Sequence, residues 1–295
     1  MKLDKWISEN TESLFGKTVA VTGTTGGLGR ELCRHLASLG ASLVLVDRNR
    51  ARSEAFRDEL LKEYCGRSIS CISADLEDIN SVKNATLELC RISVDIFIHN
   101  AGAYSIPRHK CSTGYDNVFQ INFISPYYMI RTLMPVLRER GGRVVVVGSI
   151  AHNYSRSCMD DIDFSGRKRA SLVYGNAKRY LMFSLFELFK NEDMITLAVT
   201  HPGITFTNIT AHYPKLIFAL IKHPMKLVFM KPSFASLSIL RGAFEPTEYH
   251  TWIGPRIFDV WGKPSKKRLK TCSQDESGRM AAVAEQIYND LLSKA

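Results

Sequence analysis

A glycine-rich turn near the N-terminus most constrains how this chain can fold. Residues 18–21 form an apolar, strand-like run, residues 22–29 read Thr-Gly-Thr-Thr-Gly-Gly-Leu-Gly, and a helical pattern covers residues 28–39. Strand, glycine turn and helix in this order let a helix N-terminus approach a bound pyrophosphate, because its free N–H groups favour negative charge. A tight connector without a ligand is the alternative, since a glycine turn alone is a weak signal.

Apolar, strand-like runs alternate with helical stretches up to about residue 200. The predicted strands are residues 18–21, 42–46, 68–73, 94–98, 143–147 and 195–199, and the predicted helices include residues 28–39, 52–64, 115–137 and 174–189. The strands are apolar without clean alternation, as expected when helices cover both faces of a parallel sheet. The pattern predicts one α/β domain with a doubly wound, mostly parallel sheet of the Rossmann type, which binds its ligand beyond the carboxyl ends of the strands.

The two ends of the chain and one internal segment lie outside this pattern. Residues 1–15 are expected to form an N-terminal extension and residues 255–295 a C-terminal extension, with an amphipathic helix at 274–292. Residues 208–233 follow the sixth strand, are rich in Leu, Ile, Phe and Met, and contain three prolines. Proline interrupts helices, so this segment is not expected to form one continuous core helix. Because it is apolar and follows the sixth strand, we predict that it is a lid that gives an apolar wall to a substrate.

The net charge of +10 raises the question of a nucleic-acid or anionic membrane partner. The densest basic block, residues 263–270, lies in no nucleic-acid motif and is predicted to be a solvated tail, with a surface contact to an acidic partner as the alternative. No apolar run approaches the roughly 18 residues of a transmembrane helix, and the N-terminus has no signal-peptide pattern. Seven scattered cysteines without a C-x-x-C pair indicate reduced thiols, a cytoplasmic location and no metal site.

Acidic residues follow the second and third predicted strands. Asp47 comes 18 residues after Gly29, close to the spacing at which a carboxylate accepts hydrogen bonds from an adenosine ribose. It would repel a 2′-phosphate, so we predict that NAD(H) is preferred, while Arg48, which can pair with phosphate, keeps NADP(H) open. Asp75 could accept from the adenine amino group or could instead cap a helix.

Tyr174 and Lys178 are predicted to lie one helical turn apart on one face. A free tyrosine has a pKa near 10, and we expect the neighbouring ammonium to lower it. Tyr174 could then exchange a proton with an alcohol or a carbonyl. An exposed pair on a surface helix is the alternative, because this spacing is common.

Further polar residues follow the strands or interrupt an apolar helix. Ser149 follows the fifth strand, and residues 201–203, His-Pro-Gly, follow the sixth. Asn122 is an amide within an otherwise apolar helical segment, and such an amide needs hydrogen-bond partners if it is buried. After the fourth strand, Asn100 and Gly102 flank an alanine, and these small residues let the backbone pass close to a cofactor.

Over residues 15–210 the chain resembles the short-chain dehydrogenase/reductase family. The resemblance rests on six motifs in this order: T-G-x-x-x-G-x-G, N-A-G, a helical Asn, Ser, Y-x-x-x-K and P-G. The resemblance implies an NAD(P)-dependent oxidoreductase that acts on CH–OH groups. Its implied catalytic residues are Asn122, Ser149, Tyr174 and Lys178. It also implies that Lys178 holds the nicotinamide ribose and that Thr207 reaches the carboxamide.

The strand-end residues, the family motifs and the predicted lid together give two sets of candidate residues. The cofactor-binding set is Gly23, Thr25, Gly27, Leu28, Gly29, Asp47, Arg48, Asp75, Leu76, Asn100, Gly102, Tyr174, Lys178, Pro202, Thr205 and Thr207. The substrate-binding set is Ser149, Tyr154, Phe218 and Phe229. Two residues depart from the family pattern: His99 puts some sheet-stabilising hydrogen bonds in doubt, and Gly148 replaces a serine. Neither departure removes a catalytic group.

Two branches of the family resemble this chain. The segment between Ser149 and Tyr174 is similar to the retinol-dehydrogenase-like branch, whereas the leader from Trp6 and residues 200–205 are similar to bacterial 20β-hydroxysteroid dehydrogenases. The leading hypothesis is therefore hydride transfer between NAD(H) and a secondary alcohol or ketone on a bulky apolar substrate, for which a steroid is the first choice. The alternatives are a retinol or lipid-aldehyde reductase that uses NADP(H) at a membrane, and a dinucleotide sensor without turnover.

The predicted helices at residues 115–137 and 174–189 carry more apolar side chains than one sheet face can cover. A helix that is apolar nearly all round is buried on more than one side. We therefore expect a homodimer or homotetramer. Its expected partner is an apolar small-molecule substrate, and no nucleic-acid partner is expected.

Overall fold

The computed structural model describes residues 2–204 and 230–293. The strands in these ranges are β1 (Thr18–Thr22), β2 (Ser42–Asp47), β3 (Ile69–Ser73), β4 (Ile96–His99), β5 (Arg143–Val147), β6 (Thr196–Thr200), β7 (Thr251–Ile257) and β8 (Trp261–Arg268). They form one sheet in the order β3-β2-β1-β4-β5-β6-β7-β8, and only β8 runs antiparallel to its neighbour. The predicted doubly wound, mostly parallel sheet is confirmed.

Helices cover both faces of the sheet. They are α1 (Leu3–Asn10), α2 (Gly27–Ser38), α3 (Arg50–Glu63), α4 (Ile79–Cys90), α5 (Asn117–Phe119), α6 (Ser125–Glu139), α7 (Ala170–Leu188), α8 (Pro232–Phe244) and α9 (Gln274–Ser293). A π-helical turn, Gln120–Ile124, joins α5 to α6, and a short 3-10 turn, Ile150–Asn153, follows β5. Helices α1, α2, α3 and α8 lie over one face, and α4, α6, α7 and α9 over the other.

The strands are apolar on both sides because both sides are covered. In β5, Val144 and Val146 pack with α4, α6 and α7, whereas Val145 and Val147 pack with α2 and α8. All four valines are buried. This two-sided burial is the physical reason for the apolar runs without alternation in the sequence.

The C-terminal hairpin extends the sheet beyond β6. Most of the basic block at residues 263–270 forms β8, which pairs antiparallel with β7, so the prediction of a solvated tail is wrong. Proline and alternating charge masked the strand in the sequence, and both are typical of an edge strand. The exposed side chains of Lys263, Lys266 and Arg268 keep this edge in water.

A buried ion pair joins α9 to α7. The Arg179 guanidinium donates to both carboxylate oxygens of Glu276, at 2.8 and 2.7 Å, and also to the carbonyls of His152 at 3.0 Å and Thr271 at 2.5 Å. Arg179 is 1% exposed. These bonds hold α9 against α7 and tie both helices to the turn after β5.

The apolar side chains behind the expected dimer or tetramer are covered by the same chain. On α7, Leu181, Phe183, Leu185 and Phe186 are buried, and α9 packs on this helix with its own apolar residues. The apolar surface of α7 therefore gives no reason to expect a second subunit, because α9 already covers it.

The predicted lid falls largely outside the described residues. Phe218, Phe229, Thr205 and Thr207 all lie in that undescribed part of the chain. The described residues on either side of it meet, because the N–H of Met230 donates to the Ile204 carbonyl at 3.1 Å. None of the helices in the described ranges is both long and apolar enough to cross a membrane.

Candidate active site

A cavity of about 640 Å³ opens at the carboxyl ends of the parallel strands. The residue directly after each of β1 to β6 lines it: Gly23, Arg48, Ala74, Asn100, Gly148 and His201. This is the edge at which a doubly wound sheet binds its ligand. The cavity therefore gathers side chains that are far apart in the sequence.

The glycine turn forms one end of the cavity. A Cβ atom on Gly29 would overlap the carbonyl oxygen of Gly23, so only glycine fits where α2 passes under the turn. A Cβ on Gly26 or Gly27, by contrast, would make only ordinary contacts, with no atom closer than 3.8 Å. Because α2 begins here, its first N–H groups are available to a bound pyrophosphate.

Asn100 has one unused polar atom at the cavity. Its side-chain N–H groups donate to the carbonyls of Thr22 and Gly23, both at 3.1 Å. Its Oδ1 atom is buried and has no partner among the described residues. Such an atom fits a ligand that brings a hydrogen-bond donor. With the open glycine turn, this supports the fit of a nicotinamide dinucleotide.

Asp47 is held in place by hydrogen bonds from its own chain. Its carboxylate accepts from the Thr24 hydroxyl, from the N–H of Thr25 at 3.2 Å and from the Ser53 hydroxyl at 3.1 Å. The side chain is 5% exposed and lines the cavity. Thr24 and Ser53 give no signal in the sequence, because neither has a strand-end position. Asp47 therefore fixes the glycine turn, whatever else it binds.

Asp75 also lines the cavity, next to Leu76. Its Oδ1 atom accepts from the N–H of Glu77 at 3.0 Å. Helix α4 is instead capped by Asp78, which accepts from the N–H of Asn80 at 2.9 Å. The helix-capping interpretation of Asp75 is therefore wrong, and contact with the adenine stays a prediction.

The fold brings Ser149, Tyr174 and Lys178 to the other end of the cavity. Lys178 is 2% exposed and donates to the Val147 carbonyl at 2.9 Å, which ties α7 to the end of β5. Burial lowers the pKa of Lys178 to about 7. The Ser149 hydroxyl lies near enough to Tyr174 to act against the rise in the pKa of the phenol.

The pKa of Tyr174 differs from the sequence-based expectation. It is raised to about 12, because the effect of burial outweighs the opposing effect of the nearby Ser149 hydroxyl. The Nζ atom of Lys178 lies 5.8 Å from the centre of the Tyr174 ring and binds a carbonyl instead. The prediction that Lys178 lowers the Tyr174 pKa is therefore wrong for this arrangement, since loss of water outweighs the distant ammonium.

Two glycines allow α7 to approach the end of β5. A Cβ on Gly175 would overlap the carbonyl oxygen of Ala151. A Cβ on Gly148 would lie 2.6 Å from the Met182 sulfur. This explains the departure at Gly148, because Met182 fills the space of the side chain found in the family pattern. Gly175 is a site residue that was missed in the sequence, where its only signal is a glycine inside an otherwise helical run.

Asn122 lies behind the cavity wall, in the π-helical turn. Its side-chain N–H groups donate to the carbonyls of Ala103 and Val118, both at 2.8 Å, and its Oδ1 accepts from the N–H of Ala103 at 3.3 Å. Asn122 is fully buried and supports the segment around Gly102. That it orders a catalytic water stays a prediction.

His99 stands where many family members have an asparagine, and it still links β4 to β1. Thr22 Oγ1 accepts from the N–H groups of Asn100 at 3.1 Å and Ala101 at 3.0 Å, so its own hydrogen points to His99 Nδ1, 3.1 Å away. Burial holds the pKa of His99 well below its ordinary value, so the ring is neutral and can accept. This bond keeps one link between β1 and β4, whereas the Nε2 atom of His99 is buried without a partner among the described residues.

His152 positions the residue that precedes it by one turn. Its Nδ1 atom donates to the Ser149 carbonyl at 2.6 Å, and its own carbonyl accepts from Arg179. Burial lowers the pKa of His152 to about 4, which keeps the ring neutral. The chain from Glu276 through Arg179 and His152 therefore reaches Ser149. The only sign of this chain of contacts in the sequence is a charged residue, Arg179, directly after Lys178.

An apolar wall lies beside Tyr174. The rings of Tyr104 and Tyr174 meet edge to face, with centroids 5.3 Å apart. Further residues of this wall are Ile106, Ile150, Tyr154, Pro202 and Ile204. Tyr154 is 53% exposed at the mouth of the cavity. This end of the cavity suits the apolar part of an alcohol or carbonyl compound.

Comparison with known proteins agrees with this geometry. A family model described as short chain dehydrogenase matches residues 17–160. Retinol dehydrogenase 14 from Homo sapiens is 29% identical over 217 residues, which cover 68% of this chain and 65% of that protein. Polyprenol dehydrogenase from Homo sapiens is 24% identical over 207 residues, or 66% of this chain and 63% of that protein. The chain thus spans a little less than two thirds of these relatives.

A solved structure matches almost the whole chain. An uncharacterised protein from Mycobacterium Paratuberculosis superposes with a TM-score of 0.73 at 23% identity, over 96% of this chain and 97% of that one. This likeness shows the fold. The family model covers the glycine turn and Ser149, and α7 adds Tyr174 and Lys178 at the same cavity. The chain belongs to the short-chain dehydrogenase family.

Proposed function

We propose that this protein transfers a hydride between a nicotinamide dinucleotide and a long, apolar alcohol or its carbonyl form. The observation that carries the proposal is the position of Ser149, Tyr174 and Lys178 between the glycine turn and the apolar wall. The relatives named retinol dehydrogenase and polyprenol dehydrogenase support a lipid alcohol. They give no support to the steroid of the leading hypothesis, so the lipid alternative becomes the main proposal.

A nicotinamide dinucleotide held between the glycine turn and Lys178 would supply or accept the hydride. Tyr174 handles the proton: its hydroxyl donates to the carbonyl oxygen in reduction, and its phenolate takes a proton from the alcohol in oxidation. A pKa near 12 keeps the phenol protonated at neutral pH, which suits the reductive direction. The family resemblance assigns Lys178 to the nicotinamide ribose.

Ser149 is oriented to hold the substrate oxygen. Its hydroxyl oxygen accepts from the N–H of Ala151 at 3.2 Å. That bond leaves its own O–H to point towards Tyr174 or towards a substrate oxygen between them. Ser149 thereby positions the oxygen at the atom that gains or loses the proton.

We further propose a preference for NAD(H). Asp47 is held by Thr24, Thr25 and Ser53, so its carboxylate does not turn away from a 2′-phosphate, and repulsion follows. Arg48 and Arg52 line the same end of the cavity and would attract that phosphate. Both guanidinium groups are exposed, and water screens their attraction.

A cytoplasmic location is also proposed. All seven cysteines lie within the described residues and are free thiols. Reduced thiols are typical of proteins in a reducing compartment.

Tyr174→Phe tests the proton transfer. The ring remains and only the proton is lost, so we expect turnover to fall by at least about 10²-fold while NADH binding, measured by fluorescence titration, stays within about twofold. Tyr180→Phe is the matched control, because the Tyr180 hydroxyl is buried without a partner among the described residues. Turnover of Tyr174→Phe at the Tyr180→Phe level would refute the role of Tyr174.

Asp47→Asn tests the cofactor preference. The amide keeps the shape and much of the hydrogen bonding of Asp47 but removes its charge. We expect the ratio of kcat/KM for NADPH over NADH to rise by about tenfold, since one close charge is worth roughly this factor. Arg48→Gln is the counterpart and should lower the same ratio. A wild-type kcat/KM that already favours NADPH would contradict the preference.

A substrate panel tests the proposed function as a whole. The purified protein is assayed with NADH and NADPH against retinal, a polyprenal, a steroid ketone and a small water-soluble ketone. We expect kcat/KM for the two lipid aldehydes to exceed that for the small ketone by about tenfold or more, because burial of apolar surface favours them. We also expect it to exceed that for the steroid ketone, because the relatives are named for retinol and polyprenol. A higher value for the steroid would restore the first hypothesis. No turnover on any compound, with dinucleotide still bound, would favour the sensor.

A further inference from the structure

The turn between β7 and β8 exposes a cluster of apolar side chains. Phe258 is 89% exposed, Ile257 52% and Trp261 48%. Single exposed apolar residues are ordinary on protein surfaces, whereas a contiguous patch commonly marks a contact surface. We call Ile257, Phe258 and Trp261 the hairpin tip.

Phe258 is an unfavourable residue for the turn that it occupies. The N–H of Val260 donates to the Ile257 carbonyl at 3.0 Å, and φ is 49° at Phe258 and 58° at Asp259. This is a type I′ turn, in which both central residues are left-handed and Asn or Gly is preferred. A bulky side chain in this region is strained, and an exposed one gains no packing in return. The strain and the exposure together point to a binding role for Phe258.

The hairpin that carries the tip packs against a residue that lines the cavity. A Cβ on Gly203, which lines the cavity, would lie 2.7 Å from the Val260 carbonyl oxygen and 2.9 Å from the Pro255 ring. Gly203 belongs to the turn after β6, beside the apolar wall. Whatever the tip binds is therefore held close to the substrate end of the cavity.

Positive charge flanks the hairpin tip. Arg256 and Lys263 are exposed on either side of it, and neither forms an ion pair with a described residue. The acidic residue of the turn, Asp259, is already paired with Lys267 at 2.9 Å. The chain as a whole carries a net charge of +10. An anionic surface complements this patch, whereas a second copy would bring the same positive charges face to face.

We propose that the hairpin tip docks this protein on the surface of an anionic lipid membrane. Aromatic side chains insert at the level of the headgroups, and basic side chains pair with lipid phosphates. Phe258 and Trp261 supply the first contact, and Arg256 and Lys263 the second. Docking does not depend on the proposed function, although an alcohol dissolved in the membrane would then lie next to the cavity.

Co-sedimentation of the full chain with vesicles tests the docking. Vesicles of phosphatidylcholine alone are compared with vesicles that also contain phosphatidylserine. We expect wild type to bind the anionic vesicles more tightly, and Phe258→Asn to bind them about tenfold more weakly, because burial of a phenylalanine ring is worth roughly this factor. Asn favours the left-handed turn, so thermal unfolding should show that this variant folds at least as well. Arg256→Gln with Lys263→Gln should weaken the preference for phosphatidylserine, because two of the exposed positive charges are lost.

Phe15→Asn is the matched control. Phe15 is 81% exposed and precedes β1, so it lies at the sheet edge opposite the cavity. We expect Phe15→Asn to bind vesicles like wild type. We expect both Phe15→Asn and Phe258→Asn to keep wild-type turnover of a water-soluble ketone. Three results would overturn the docking: no binding of wild type to anionic vesicles, an equal loss in Phe15→Asn, or light scattering in which Phe258→Asn only dissociates a dimer. Because vesicle binding needs no turnover, these results are separate from failure of the proposed function.

Discussion

The active-site end of this structure depends on the close approach of α7 to the end of β5. Gly175 places α7 directly against the carbonyl of Ala151, and Lys178 fastens the same helix to the Val147 carbonyl. Because of this contact, Tyr174 meets Ser149, although 25 residues separate them. A larger side chain at Gly175 has no room without movement of the backbone. The geometry of the site thus depends on the carbonyls of Ala151 and Val147 and on the absence of a side chain at Gly175, as well as on its polar groups.

The buried ion pair between Arg179 and Glu276 supports this contact from behind. It joins α7 to α9 and, through the carbonyl of His152, to the turn that carries Ser149. Removal of one partner of a buried pair leaves an uncompensated charge, which commonly costs about 3–5 kcal/mol. Burial raises the pKa of the Glu276 carboxyl, but Arg179 and Ser157 more than offset it and bring the pKa to about 2. The pair therefore contributes stability above the ordinary glutamate range and loses it as the pH falls towards 2.

The sequence predicts those features that depend on local pattern. The first six strands lie within one or two residues of their predicted bounds, because all but β3 are apolar runs between polar turns. Residues that follow strands, such as Asn100 and Ser149, were found because parallel strands bring their carboxyl ends to one edge. The rest depends on contacts across the fold. Strand β8 looked like a charged tail, the partners of Asp47 come from other elements, and the high pKa of Tyr174 results from burial that no local pattern reports.

Gly175→Ala tests the central contact most directly. The new methyl group would overlap the Ala151 carbonyl and push apart Ser149 and Tyr174. We expect turnover to fall by at least about 10²-fold, the usual effect of a misplacement near 1 Å, with NADH binding retained, since the glycine turn is remote. Gly278→Ala in α9 is the matched control, because no atom lies within 4 Å of its added Cβ, and it should keep full turnover. Wild-type turnover in Gly175→Ala would contradict the account.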